Sequence, residues 1–326
     1  MLSKLIDEFH SASPSKKALL VAAGVGLITA TAFGAYYAKK RIHNTPPKVW
    51  HKAGEINEIY VYPIKSCAPV KVSRVDCSIL GPQRNLLRDR IFMVTSLEGK
   101  WITARQKPKL VLIHPQFDDA FERLTLSAPG MDDISIQVRS LYDQQTTDSV
   151  VWGESVPTVD CGDEVAKWLS RYLLDKSEGY RLVFYPLNET SRKNASSDSG
   201  ALHDETSYML FNSATVEDLN GRLEQKVTPL HFRPNFVVKG PPAFAEDNWR
   251  WVKIGNVVFK YVRPCLRCVF TTINPMNGVK HPEGQPLATL KQYRINPKYG
   301  KDPAFGIHLG VRTGGEVSLG DSVYYG

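Results

Sequence analysis

Short apolar runs broken by turn residues govern what this chain can fold into. Ile56–Tyr62, Val70–Ser78, Arg90–Ser96, Leu110–Ile113, Leu124–Ser127 and Ile134–Val138 are rich in β-branched and aromatic residues, and Gly, Pro, Asp or Asn separates them. Strand signals this short and this closely spaced point to a barrel or sandwich. One helix closes this half: from Asp163 to Leu174, Val165, Trp168, Leu169, Tyr172 and Leu173 recur at helical spacing. Asn188 to Glu205 is polar, with almost no apolar residue, and reads as a linker or surface loop. The strand rhythm resumes at Tyr208–Phe211, followed by a helix capped by Ser213 with Val216, Leu219 and Leu223 on one face. Further strands are expected around Phe236–Val238, Val257–Val262, Val269–Ile273 and Gly306–Val311, with a short helix near Leu287–Tyr293 and a half-buried terminal strand within Gly315–Tyr325. The expected fold class is mixed α+β but mainly β.

The N-terminus is of a different kind. Ala18 to Ala38 is an uncharged run of 21 residues. As a helix it would be about 30 Å long, the thickness of a bilayer core. Tyr36 and Tyr37 sit where an interfacial aromatic belt lies. A cleaved signal peptide would have a shorter apolar region. Lys39, Lys40, Arg41 and Lys48 follow the run, whereas Lys4, Lys16 and Lys17 before it are diluted by Asp7 and Glu8. The positive-inside tendency therefore places the bulk of the chain in the cytosol. The expected organisation is a tail at 1–17, a transmembrane anchor helix at 18–38, a tether at 39–54, and two β-rich halves at 55–185 and 186–326.

Composition narrows the function classes. The 326 residues are 42% hydrophobic and 23% charged, as in a folded globular protein. A net charge of +8 comes without an arginine-rich tract or basic–aromatic alternation, which argues against a nucleic-acid partner. Five cysteines, an odd number without regular spacing, argue against a disulfide framework and for a reducing compartment.

The chemistry concentrates between Tyr261 and Thr272, where Cys265 and Cys268 stand three apart with Arg267 between them and Arg263 just before. Nearby cations favour a thiolate, and guanidinium groups fork onto phosphate or carboxylate. Thiolate plus anion clamp suits a phosphate-bearing, metal-carrying cofactor. Three plainer readings stay open. A zinc site would need a second cysteine pair, which Cys67, Cys77 and Cys161 do not form. A thioredoxin-like pair would open a helix rather than a strand. Two buried, inert thiols would need no partner at all.

Three further motifs accompany this one: Tyr62-Pro-Ile-Lys-Ser-Cys67, Asn85-Leu-Leu-Arg-Asp-Arg90 and His231-Phe-Arg-Pro-Asn235. With Cys265-Leu-Arg-Cys268, the terminal Leu319-Gly-Asp-Ser-Val323 and the N-terminal anchor, the set resembles the mitochondrial amidoxime-reducing family of MOSC-domain molybdenum enzymes. The likeness runs from about His51 to the C-terminus. It implies an N-terminal MOSC β-barrel half and a C-terminal MOSC barrel half, with molybdopterin holding molybdenum through one protein thiolate. By that resemblance the metal ligand and catalytic residue is Cys268, the second of the pair. The cofactor contacts it implies are Lys65, Ser66, Arg90, Thr206, Ser207, Arg233, Asn235, Arg267 and His308.

The resemblance also implies reduction of N-hydroxylated substrates, amidoximes and hydroxylamines, to amidines and amines. Electrons would come from NADH through cytochrome b5 reductase and cytochrome b5, on the cytosolic face of the mitochondrial outer membrane. The absence of a nucleotide-binding glycine fingerprint or haem motif fits external electron carriers. The alternative is a molybdenum-cofactor carrier or sulfur-transfer module, although no desulfurase domain fits within this length.

Overall fold

The computed structural model describes residues 10–11, 13–17, 33, 44–192 and 197–326. The chain forms two units, Met1–Lys48 and Val49–Gly326. In the first, residues 14–17 are helical and the Lys17 ammonium donates to the His10 carbonyl at 2.9 Å. The anchor expected over 18–38 lies outside the described residues, Phe33 apart. Among the described residues, no helix is long and apolar enough to cross a membrane.

The second unit is mainly β, as the strand rhythm requires. Its largest sheet runs Phe236–Lys239, Tyr208–Asn212, Ala304–Thr313, Val257–Leu266, Trp251–Ile254, Ser322–Tyr325, His51–Val61, Val70–Val72. A further antiparallel pairing sets Ile56 opposite Val238 and Ile59 opposite Phe236, which closes all but the last of these strands into a barrel. His51–Val61, the first strand among the described residues, is thus built into one barrel with strands from the far end.

Period-2 alternation explains how this barrel builds a second apolar layer. Ile59, Val61, Tyr208, Leu210, Phe236 and Val238 fill one hydrophobic cluster with Val252, Phe259, Ile307 and Leu309. Their sequence neighbours Tyr60, Tyr62, Met209, Phe211 and Val237 join a different cluster with Phe232, Cys265 and Phe305. Successive side chains point to opposite faces of a strand, so both faces of this part of the sheet are apolar. Val216 and Leu219 of helix α1 (Ser213–Gly221) pack into the second layer. Gly306, at φ +79°, allows close passage, because a Cβ there would meet the Leu210 carbonyl oxygen at 2.8 Å.

Three smaller sheets and helix Asp163–Leu174 complete this unit. All five residues that define the helical period are buried, and the helix begins with Asp163 and Glu164, the charges its N-terminal dipole favours. The short helix Leu287–Tyr293 also falls where periodicity puts it.

Four local expectations are corrected. Leu110–Ile113, expected as a strand, belongs to a 3-10 turn at Pro108–Leu112, started by Pro108 at its first position and closed by the Leu110 and Ile113 N–H groups donating to the Lys107 and Leu110 carbonyls at 3.0 and 3.1 Å. Asn212, not Ser213, caps α1, its side chain accepting from the Thr215 N–H at 3.0 Å. Val269–Thr272 is a 3-10 turn rather than the start of a strand, because the Thr271 and Thr272 hydroxyls donate back to the Cys268 and Val269 carbonyls at 3.0 and 2.7 Å. The polar stretch after Asn188 is not simply a surface loop. It carries Ala201, Leu202 and His203 into the interior, tied by the Arg192 guanidinium to the His203 carbonyl and to Glu154.

The cap residue Asn212 rests on a fully buried carboxyl, Glu246. Glu246 accepts from the Asn212 N–H at 3.3 Å, the Thr215 hydroxyl at 2.8 Å and the Asn212 amide. Burial pushes this carboxyl up from 4.5 to about 7. The folded state therefore holds the proton more tightly than the unfolded chain. Stability from this site is complete below pH 4.5 and lost as pH rises through 7. Between pH 5 and 8 the wild type should lose roughly 2–3 kcal/mol relative to Glu246→Gln, which cannot ionise. Urea unfolding of both proteins at the two pH values measures this, and a difference independent of pH contradicts it.

Candidate functional site

The end of strand Val257–Leu266 delivers the cysteine pair to a cleft. Leu266 lies opposite Ala304, and the Arg267 N–H donates to the Pro303 carbonyl at 2.9 Å, so the chain leaves the barrel at a fixed point. The buried Arg267 side chain then locks the loop: its Nε and Nη2 donate to the Phe305 carbonyl at 2.8 and 2.6 Å, and its Nη1 to the Phe232 carbonyl at 2.8 Å. A planar fork fits two neighbouring carbonyls in a way an ammonium cannot. Cys268 follows in extended conformation (φ −109°, ψ −178°) at the mouth of the 3-10 turn and is half-buried.

The two thiols differ in surroundings. Cys265 belongs to the apolar cluster beneath the cleft, and burial pushes its thiol up. Both line the cleft, but Cys268 is the more open to it.

Another part of the cleft wall is basic and conformationally strained. Ser66, Arg90 and Arg233 all have left-handed backbones, at φ +72°, +49° and +55°. Such positions are unfavourable by roughly 1–3 kcal/mol each and gather at functional sites. The Arg90 and Arg233 guanidinium groups both lie over the Tyr62 ring, 5.1 and 4.1 Å from its centroid. Arg233 Nη1 donates to the Cys67 carbonyl at 2.5 Å, whereas its Nη2 is buried without a hydrogen-bond partner among the described residues. Burial, then repulsion from Arg90, lowers this guanidinium to about 10. Lys65 is also buried. Its ammonium donates to the Leu202 carbonyl at 2.7 Å, pairs with Asp204 and lies 5.3 Å from the Trp101 ring centroid.

One carboxylate organises this wall. Asp89 is buried and accepts from the Tyr62 N–H at 2.7 Å, His203 Nε2 at 2.9 Å, the Asn235 amide at 3.1 Å and the Arg90 guanidinium. Burial alone would push its carboxyl up, but Arg90, His203 and the Tyr62 N–H hold it below its ordinary value. Asn235 is committed to the frame, its amide donating also to the Tyr60 carbonyl at 3.2 Å and its oxygen accepting from the Met209 N–H at 3.1 Å.

The remaining expected residues divide. His308 lies opposite both Met209 and Arg263, and its Nδ1 is 3.0 Å from the Thr206 hydroxyl. Burial and then the charge of Arg267 lower its imidazole to about 4, so it is neutral at pH 7. That suits hydrogen bonding better than proton donation. Ser207 points elsewhere, its hydroxyl donating to the Ile79 and Asp198 carbonyls at 2.5 and 3.1 Å. Lys65, Ser66, Arg90, Thr206, Arg233, Asn235, Arg267, Cys268 and His308 all line one cleft, and Ser207 does not. Arg263, which flanks the motif, pairs with Glu205 at 3.2 Å.

Asp89, His203, Arg105 and Asp204 also belong to the cleft or its support and were not anticipated. Asp89 stood inside the Asn85–Arg90 motif, and a lone acid between two arginines was the available signal. His203 gave none, because the loop that carries it has no periodicity.

The chemistry of this donor set is definite. A buried ammonium beside a guanidinium whose buried Nη2 is unmatched favours an anionic group such as a phosphate. A half-buried thiol in the same cleft is a soft ligand. Among the described residues no group of three or more His, Cys, Asp or Glu is arranged to hold a metal ion alone. A metal bound here would bring its other ligands with it, which fits a cofactor that carries sulfur donors and a phosphate.

Comparison with known proteins agrees with the β-rich architecture. Residues 53–176 match the MOSC N-terminal beta barrel domain, and residues 198–324 the MOSC domain. The chain is 34% identical over 334 residues to mitochondrial amidoxime-reducing component 1 of Homo sapiens, covering 99% of this chain and 97% of that protein. It is 38% identical over 285 residues to mitochondrial amidoxime reducing component 2 of Bos taurus (84% and 83%), and 35% over 327 residues to component 1 of Xenopus laevis (96% and 93%). By likeness along almost its whole length, the chain belongs to the mitochondrial amidoxime-reducing component family.

Proposed function

We propose that this protein is a molybdenum-cofactor oxidoreductase that reduces amidoximes and hydroxylamines to amidines and amines. The observation that carries this reading is that the half-buried Cys268 shares one cleft with the buried Lys65 and with Arg233, whose buried Nη2 is an unmatched donor among the described residues. The named relatives are amidoxime-reducing components. Cys268 would hold the metal, and Lys65, Ser66, Arg90 and Arg233 the anionic and pterin portions, with Thr206 and His308 adding hydrogen bonds. Arg267 and Asn235 act as positioning residues, since their donors are committed to the frame. Ser207, expected as a contact, would support the backbone before its strand instead.

When bound, the cofactor supplies two-electron removal of oxygen from the N–O bond; two protons complete the loss of that oxygen as water. Arg267 keeps the Cys268 turn fixed against the barrel. Asp89 holds Arg90 and His203 in line with Asn235. We assign the electrons to NADH, delivered through cytochrome b5 reductase and cytochrome b5, and the location to the mitochondrial outer membrane, anchored by residues 18–38 and facing the cytosol. The relatives' names carry the word mitochondrial. We divide the rest of the chain at 55–185 and 186–326, close to the two matched segments.

The test is to purify the full chain in detergent, measure molybdenum and pterin, and follow benzamidoxime-dependent NADH oxidation with cytochrome b5 and its reductase. Stoichiometric cofactor with turnover is expected. Cofactor without turnover would indicate a carrier, and neither metal nor pterin would sink the reading.

A further inference from the structure

We propose that Trp152, backed by Trp101 and Arg105, is a stacking platform at the rim of the cleft for the planar aryl group of N-hydroxylated substrates, favouring aromatic over aliphatic ones. This rests on the reductase function proposed above and names its substrate class.

The hairpin of Thr147–Val151 and Glu154–Asp160 is closed by only Trp152 and Gly153, at φ +54° and +81°. A two-residue turn with both residues left-handed is normally filled by Asn, Asp or Gly. A bulky L-residue in the first position is disfavoured, because its Cβ crowds the following carbonyl oxygen. The local backbone therefore gives no reason for tryptophan there.

The side chain's surroundings give one. The Trp152 ring centroid is 4.8 Å from that of Trp101, and its Nε1–H donates to Asp204 at 3.0 Å. The Arg105 guanidinium lies 5.6 Å from the Trp152 ring and 5.4 Å from the Trp101 ring. Asp204 and Arg105 are themselves cleft residues. An aromatic ring, a carboxylate and a cation thus fix the orientation of the indole, yet it remains 50% exposed. A side chain that served only to pin the hairpin would gain most by burial. A rigidly held, solvent-open indole is a recognition surface.

Position separates substrate from cofactor. The groups suited to an anion, the buried Lys65 and the buried Nη2 of Arg233, line the cleft itself, whereas the half-exposed Trp152 does not line it but bonds to Asp204, which does, and so is open to what arrives from solvent. An indole face accepts an aryl ring by stacking and an amidinium, the charged product, by cation–π attraction.

The test compares wild type with Trp152→Asn, which keeps a residue tolerant of the left-handed turn and removes the ring; thermal melting checks folding. In the cofactor-loaded full chain, the ratio of kcat/KM for benzamidoxime to that for acetamidoxime should fall roughly tenfold in the variant. Titrating benzamidoxime should quench wild-type indole fluorescence saturably and lose most of that signal in the variant. An unchanged ratio, even with both rates lowered, would overturn the proposal. If wild type reduces neither compound, the reductase reading fails and quenching decides: saturable quenching lost in the variant sustains the platform, and no quenching in wild type removes it.

Discussion

Cys268→Ala should eliminate benzamidoxime reduction while changing folding stability by less than about 1 kcal/mol. The thiol is half-buried at the mouth of a turn whose geometry comes from other groups, the Arg267 fork and the two threonine hydroxyls. Removing it leaves those bonds intact. Loss of a metal's direct protein ligand should exceed the 10–100-fold penalty typical of losing an outer hydrogen-bond partner. Cys265→Ala provides the contrast, because Cys265 belongs to the apolar cluster under the cleft. It should reduce stability by about 1 kcal/mol and keep turnover. Activity, metal content and denaturant midpoints on both variants separate the two sulfurs; equal losses of activity would refute the assignment.

Asp89→Ala should produce the largest loss of stability of any cleft substitution, about 3–5 kcal/mol. Four donors converge on this buried carboxylate from Tyr62, Arg90, His203 and Asn235, so truncation leaves a half-buried cation and three neutral donors without this acceptor. Asp89→Asn should be milder but still destabilising, because a neutral amide has one acceptor oxygen and presents its NH2 to groups that also donate. Arg90 and His203 would lose their alignment in either variant, so cofactor content should fall along with stability. Urea unfolding and molybdenum analysis measure both effects. An Asp89→Ala protein as stable as wild type would show that the carboxylate does not organise the wall.

Much of the fold was legible because it depends on periodicity. The helix Asp163–Leu174 and most of the short strands follow from spacing, whereas the apolar run Leu110–Ile113 turned out to be a 3-10 turn begun by Pro108. Barrel closure was not legible: the pairing of His51–Val61 with Phe236–Lys239 joins distant parts of the chain, and each strand's own pattern is equally compatible with other neighbours. Val269–Ile273 misled because β-branched residues favour strands in general, whereas here the threonine hydroxyls bond to the preceding carbonyls and tighten the chain into a turn.

The cleft divides in the same way. Lys65, Arg90 and Arg233 sit in recognisable local motifs, and the fold brings them to one wall. Arg267 was expected to act on the thiol or an anion by its charge, but its geometry commits it to the Phe305 and Phe232 carbonyls. Asp89 and His203 escaped notice because their importance lies in a contact between segments far apart in sequence. The acid between Arg88 and Arg90 was a local hint for Asp89, but nothing in the spacing pointed to its partner His203.

The most direct measurement is X-ray absorption at the molybdenum edge of the loaded full chain, wild type against Cys268→Ser. If Cys268 is the protein ligand, the wild-type spectrum contains a sulfur contribution beyond that of the cofactor's own donors, and the serine variant replaces it with oxygen or loses the metal. An identical sulfur shell in both proteins, with molybdenum retained, contradicts the assignment on which the proposed chemistry depends.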